Sequence, residues 1–462
     1  LPGSQNFYWH GAEEKRSSQT KSLNRFSSCD IACIVNSRGS PYNQGCRMIP
    51  ALITFISFHF FWQALVALGG IGLVSSTIFL FMVLVAEARF LRRAKTKQAA
   101  ADSTPVASLP PVSILKPVHG AEDQLRTNLE SFFQQDYPDY EVIFGVRDPE
   151  NPAALVAEEV RQRYPNISSR IIYSGPPEWP NAKVYSLEKM INSSTRSYFI
   201  ISDSDVRVAP NFLRNTITPL LNPKVGLITC MYRGIPASDF WSSLEALGLS
   251  VEMSSGVMVA DMLEGMRFAL GPAMAARRDA VDAIGGIAAT ADYYSDDFEL
   301  GNRIWAKGYE VVLSHHVVRN VLTPRPLIRT LGDQLRWMKS TRYSRPAGHV
   351  GSGLTYAVPF GVLGLVGCIG LGQWKLGVAF LLAAWLNRMI QSISVGWGVT
   401  RDPRAVALCW LYPIRDLLGF VTWIASFTSR KFFWRGEMYR FENGGRILPL
   451  QRSVPNNASA PR

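Results

Sequence analysis

The chain has 462 residues, 47% of them hydrophobic, and a formal net charge of +12. Its apolar residues crowd into 50–90 and 353–427, which excludes one evenly mixed soluble globule and leaves a middle of ordinary soluble composition. Basic residues gather beside the apolar stretches, as at Arg89, Arg92, Arg93, Lys95 and Lys97, a placement that suits anionic lipid headgroups and argues against a nucleic-acid partner.

Residues 1–47 are polar, mixed in charge and without periodicity, and the first methionine is Met48; they read as a disordered or mis-assigned N-terminal extension. Cys29 and Cys33 lie there with no second pair to complete a zinc site, so the six cysteines form no framework and a reduced compartment fits. Residues 48–97 read as an N-terminal transmembrane anchor. Its best span, Leu65–Val85, covers ~30 Å of hydrocarbon at ~1.5 Å per residue. It is too long for a cleaved signal peptide, and the basic flank Glu87–Lys97 acts as a stop-transfer signal that places the next domain in the cytosol.

Residues 98–110 are rich in Ala, Ser and Pro and read as a linker. From 111 to 346 short apolar runs alternate with amphipathic stretches. Val112–Leu115, Tyr140–Val146, Arg170–Tyr173, Tyr198–Ser202, Val225–Cys230 and Val311–Leu313 are predicted strands, and segments near 122–135, 152–163, 181–192 and 239–264 predicted helices. The alternation predicts an α/β domain with a mainly parallel sheet. Within 347–430, Leu354–Leu371, Leu376–Val395 and Val406–Phe427 are three predicted spans. Asn387, Arg388, Arg415 and Asp416 interrupt them, and such groups face protein or water rather than lipid. Residues 431–462 read as a tail.

The chemistry concentrates at three stations. In Tyr198-Phe-Ile-Ile-Ser-Asp203-Ser204-Asp205 an apolar strand delivers two carboxylates to its C-terminal end, the edge where open α/β sheets bind ligands. Asp203 and Asp205 there suit a divalent cation that also holds phosphate oxygens; a bare Asp-x-Asp is more often a loop or a cap. Asp296-Asp297 opens a helical pattern, where the plain role is capping and the chemical one is a general base at Asp297. Asp333-Gln-Leu-Arg336-Trp337 lies on a basic amphipathic helix that suits a membrane surface, but its guanidinium beside an aromatic plane also suits bidentate phosphate contact. His119, His315 and His316 are better read as loop and strand-end residues than as metal ligands. Phe240–Leu263 reads first as core packing and second as a membrane-facing entrance for an acceptor.

These stations, beside membrane spans and in this order, resemble the processive and lipid-directed branch of inverting glycosyltransferases with the GT-A fold. In particular they resemble ceramide glucosyltransferases and their bacterial relatives, including the hopanoid-biosynthesis glycosyltransferases. The resemblance runs from about Pro110 to Tyr343 through Val112-Ser-Ile-Leu-Lys-Pro-Val-His-Gly, Asn128-Leu-Glu-Ser-Phe-Phe, Asp136-Tyr-Pro-Asp-Tyr-Glu-Val, Asn181-Ala-Lys183, Gly271-Pro-Ala-Met, Arg277-Arg-Asp279 and Gly285-Gly286. It implies that Asp148 and Lys183 contact the nucleotide, that Asp203 sits at the metal and diphosphate, that Asp297 is the catalytic base, and that Arg336 and Trp337 grip the diphosphate and acceptor end. The family has Gln or Arg three residues before Arg336, where this chain has Asp333. The animal enzymes are degenerate at the second station, whereas this chain keeps both carboxylates, which implies dependence on Mn²⁺ or Mg²⁺.

The implied activity is inverting transfer of a hexose, glucose or N-acetylglucosamine, from a UDP-sugar to a hydroxyl of a membrane lipid such as ceramide or a hopanoid polyol. The implied setting is a multi-pass protein of a bacterial inner membrane with its catalytic domain facing the cytosol. A processive polysaccharide synthase, or a non-catalytic membrane scaffold or transporter, are the competing readings; about four spans are few for a polymer channel.

Overall fold

The computed structural model describes residues 45–450 apart from residue 123, with side chains from Phe58 onward. The expected extension, with Cys29 and Cys33, lies outside the described residues except for 45–47, and so do residues 451–462 of the expected tail. The first helix runs Gly45–Ser103 and extends through half of the expected linker. Arg214 holds its end, donating to the carbonyls of Ala101 at 2.7 Å and Thr104 at 2.6 Å. Part of the basic flank binds protein rather than lipid: Arg93 pairs with Asp261 at 3.0 Å and Lys97 donates to the Leu313 carbonyl at 2.8 Å.

The chain then lays down β1 (Val112–Pro117), β2 (Tyr140–Val146), β3 (Ser168–Tyr173), β4 (Tyr198–Ser202), β5 (Val206–Arg207), β6 (Val225–Thr229), β7 (Tyr232–Ile235), β8 (Ala273–Arg277), β9 (Glu310–Leu313) and β10 (Val318–Val321). Seven of them form the main sheet in the order β3-β2-β1-β4-β8-β6-β9. All are parallel except β8, which pairs antiparallel with both β4 and β6. This is the expected α/β sheet, mainly parallel and mixed by one strand. The central strands are buried along their whole length, which is why they read as continuous apolar runs rather than alternating ones. A small sheet, β5-β10-β7, sits beyond the ends of β4 and β6.

Among the described residues three helices are long and apolar enough to cross a membrane: Phe58–Ser103, Phe240–Glu264 and Trp374–Val399. A fourth crossing would need Pro346–Thr355 and Val358–Gly370, bent by 52°, to act as one span. The predicted span Val406–Phe427 instead breaks into Arg404–Ala407, Cys409–Leu411 and Tyr412–Ala425. The last of these has 14 residues, about 21 Å at ~1.5 Å each, short of ~30 Å of hydrocarbon. Its charges face protein: Arg415 pairs with Glu252 at 3.1 Å, and Asp416 accepts from the Ala357 and Val358 amides at 3.0 and 2.9 Å.

Residues 431–449 of the expected tail are folded. They form the antiparallel sheet β11 (Lys431–Trp434), β12 (Glu437–Phe441) and β13 (Ile447–Pro449). Phe432, Tyr439, Phe441 and Ile447 alternate inward and bury with Tyr343 in a second apolar cluster. Phe441 stacks on Phe432 at 4.2 Å and on Tyr343 at 5.3 Å.

Candidate active site

Reversal of β8 builds the site. Because it runs against β4, its incoming turn, Gly271-Pro272, arrives where β4 ends, with Ala273 opposite Ser202. The Asp203 amide donates to the Pro272 carbonyl at 3.2 Å. A Cβ added at Gly271 would lie 3.0 Å from Asp297 Oδ2 and 3.6 Å from Asp203 Oδ2. Two carboxylates 94 positions apart in sequence thus flank one bare backbone position.

Lys183 ties the stations together. Its ammonium lies 2.6 Å from Asp203 Oδ1 and 3.7 Å from Asp296 Oδ2. Asn181 places it, because its side-chain oxygen accepts from the Lys183 and Val184 amides at the start of helix Ala182–Ser193. The Asn181 amide group reaches Asp296 Oδ1 at 3.2 Å and the Tyr293 carbonyl at 2.9 Å. Burial opposes the Lys183 charge, but Asp203 first, then Asp296 and Asp297, outweigh it and hold the ammonium protonated.

The acidic groups shift the other way. Burial raises Asp297 to about 6, with Asp296 adding to the rise and Lys183 opposing it. Asp205 is also raised, by burial and then by the like charge of Asp203, while Lys116 works against the shift. Lys116 is fully buried in β1 over the Phe132 ring at 3.9 Å, bonded to the Asp203 carbonyl and to Ser202 Oγ, and burial lowers it to about 7. Tyr232 is buried in β7, and burial and then the charges of Asp297, Asp205 and Asp203 raise its hydroxyl.

The other expected residues are placed less tightly. Asp148 lies half-buried just past β2, on the same sheet edge as Asp203 and separated from it by β1. Its carboxylate makes no hydrogen bond among the described residues. Arg336 donates to the Tyr294 hydroxyl at 2.7 Å, to the Phe433 carbonyl at 3.4 Å, and pairs with Asp333 at 2.8 Å. It therefore touches the segment that precedes Asp297 rather than the carboxylates themselves, and it lines an open cleft of about 660 Å³ with Arg325, Arg329 and Lys339. Trp337 is 41% exposed and makes no aromatic or cation–π pair among the described residues. His315 bonds Gln98 at 3.0 Å, His316 bonds Asn215 at 3.1 Å and His119 bonds Asn151 at 3.0 Å.

Lys116, Asn181, Gly271, Tyr232 and Tyr294 carry no role that is legible in the sequence alone. A lysine inside the apolar run of β1 was the clearest signal available, since a buried ammonium demands a partner. Gly271→Val is expected to push Asp297 aside and lower activity at this site about 100-fold, the scale of a 1 Å misplacement. Melting temperature, read beside activity, should stay within a few degrees.

A family model described as glycosyl transferase family 21 matches residues 71–447, from the first helix to the start of β13. Ceramide glucosyltransferase 1 of Caenorhabditis elegans is 22% identical over 362 residues, 77% of this chain and 77% of that one. The ceramide glucosyltransferase of Komagataella phaffii is 33% identical over 113 residues, 24% of this chain and 22% of that one. The solved mannosyltransferase PcManGT from Pyrobaculum calidifontis, in complex with GDP-Man and Mn²⁺, covers 77% of this chain and 99% of its own at 15% identity and a TM-score of 0.43, too distant to argue from. With most of its length matched, the chain belongs to glycosyl transferase family 21 and is a glycosyltransferase.

Proposed function

We propose that this glycosyltransferase has a GT-A catalytic domain and moves a hexose, glucose or N-acetylglucosamine, from a UDP-sugar to a hydroxyl of a membrane lipid, ceramide or a hopanoid polyol, with inversion. The observation that carries the proposal is the meeting of Asp203 and Asp297 around Gly271, with Lys183 between Asp203 and Asp296. The lipid acceptor is supported by the helices long enough to cross a membrane and by the relatives' printed activity. In this reading the sheet domain faces the cytosol of a bacterial inner membrane, with Arg93 and Lys97 at the junction.

Asp203 and Asp205 are the residues that would hold Mn²⁺ or Mg²⁺. No group of three His, Cys, Asp or Glu among the described residues forms a complete metal site. The donors nevertheless fit: Asp205 Oδ1 is shut from solvent without a hydrogen-bond partner, and Asp203 Oδ2 points to the Gly271 gap. One or two carboxylates with the rest supplied by phosphates and water is the usual set for Mg²⁺. Bound there, the cation would neutralise the leaving diphosphate.

The remaining work falls to side chains. Lys183 adds positive charge where the diphosphate departs, and Asp148 is assigned to the nucleotide. As the bond from the sugar's anomeric carbon to the diphosphate oxygen breaks, the acceptor oxygen bonds that carbon from the opposite face and its proton passes to Asp297. Arg336 positions this base through Tyr294, and Trp337 faces the acceptor end.

Membranes containing the protein, given a panel of labelled UDP-sugars and divalent cation, should place label in a lipid of increased mass. Label found only in polymer would replace this reading with a polysaccharide synthase.

A further inference from the structure

We infer that Arg435, at the tip of the β11–β12 hairpin, is a second diphosphate-binding residue of the donor site, held over it by the C-terminal sheet. The inference rests on the reading of the pocket as a nucleotide-diphosphosugar site.

The C-terminal sheet is fastened both to helix Leu327–Ser344 and to the segment that leads into the expected base. Lys339 donates to the Lys431 carbonyl at 3.0 Å, and Arg336 to that of Phe433 at 3.4 Å. Tyr294, three residues before Asp297, packs edge-on against Phe432 at 5.4 Å and Trp434 at 5.1 Å. Ile447 donates to the Asp292 carbonyl at 2.8 Å, and the Arg446 guanidinium bonds the Tyr293 hydroxyl at 3.1 Å. The sheet therefore clamps 292–294 at four places.

Trp434 pairs with Glu437, leaving Arg435 and Gly436 as a two-residue turn. Both have positive φ, 49° and 87°, the backbone of a primed hairpin turn whose first central position favours Asn, Asp or Gly. An arginine held there is strained, and strain of this kind marks sites where a side chain has been aimed. Its guanidinium lies 5.0 Å from the Trp434 ring; burial lowers its pKa, and the charges of Asp296 and then Asp203 oppose that shift.

The charge is also uncommitted. Among the described residues Arg435 forms no ion pair and no side-chain hydrogen bond, whereas Lys183 is bound to Asp203 and Arg336 to Tyr294 and Asp333. A planar cation with free donors, carried on Trp434 where that ring packs against Tyr294, suits bidentate contact with phosphate oxygens.

The test compares Arg435→Asn with wild type in the full chain in detergent. Asparagine suits the turn, so it removes the guanidinium without opening the hairpin. UDP and uridine binding are measured calorimetrically with Mg²⁺ present, together with the melting temperature. The expected result is UDP affinity lowered about 10-fold or more, unchanged uridine affinity and an unchanged or higher melting temperature. Arg440→Ala, on the same hairpin, should leave both affinities alone. Equal UDP affinity in Arg435→Asn and wild type, or equal losses for UDP and uridine, overturns the inference alone. Failure of wild type to bind UDP at all overturns the functional reading and this inference with it.

Discussion

Asp297→Asn is expected to lower sugar transfer by about 10²–10⁴-fold, the usual worth of a positioned general base, while UDP-sugar binding stays within a few-fold of wild type. The amide keeps the shape of the carboxylate, so the neighbours that position it, Gly271 at one side and the Asp296 turn at the other, are undisturbed. What it loses is the ability to take the acceptor's proton. The same residue sets a pH dependence. Its carboxyl is raised to about 6, so in the free enzyme it is a base only above that value. The rate constant for kcat/KM should fall as pH drops through about 6, and that limb should vanish in the residual activity of Asp297→Asn. A pH profile of both proteins checks the two statements together. Near-normal turnover in the variant would remove Asp297 as the base.

Asp203→Asn is the second large effect, expected at about 10³-fold in turnover. Here the loss is electrostatic and double: one of two carboxylates offered to a cation disappears, and Lys183 loses its 2.6 Å partner, keeping only Asp296 at 3.7 Å. The signature that separates this from a folding defect is the metal titration, since half-activation should require more Mn²⁺ or Mg²⁺ than in wild type. Stability should drop by only about 1 kcal/mol, because Asp203 is partly solvated and screening weakens its ion pair. An unchanged metal titration would exclude Asp203 as a ligand.

What could be read from sequence follows from physics that is local in the chain. The ends of β2 and β4 agree with expectation residue for residue, since a buried parallel strand is a continuous apolar run closed by polar residues. The Asp203 and Asp205 pair was visible for the same reason: it ends such a strand. β8 was not, because Ala273-Met-Ala-Ala-Arg277 has no β-branched residue and draws its strand character from β4 and β6 on either side. That gap hid the role of Gly271, which matters only through two carboxylates brought to it by tertiary folding. The Lys183 pairing was hidden likewise, as a helix start meeting a strand end leaves no mark in local spacing.

The membrane part divides along the same line. Phe58–Ser103 and Trp374–Val399 announce themselves by length and apolarity. Tyr412–Ala425 reads as a span until its flanks break, and the partner of its Arg415 is Glu252, 163 positions away in the chain. The C-terminal sheet shows alternation on either side of Arg435-Gly436, yet a short hairpin is stable only against a surface that sequence does not reveal. Its surface is Tyr294 and Tyr343.

Everything turns on whether the acidic stations form one donor pocket. An experimental structure of the protein with UDP and Mn²⁺, with anomalous scattering recorded from the metal, decides this. The expected result is one metal peak within coordination distance of Asp203 and Asp205, the diphosphate against Lys183, and Asp297 facing the open side. A metal and nucleotide bound elsewhere, with Asp203 and Asp297 untouched, would contradict it.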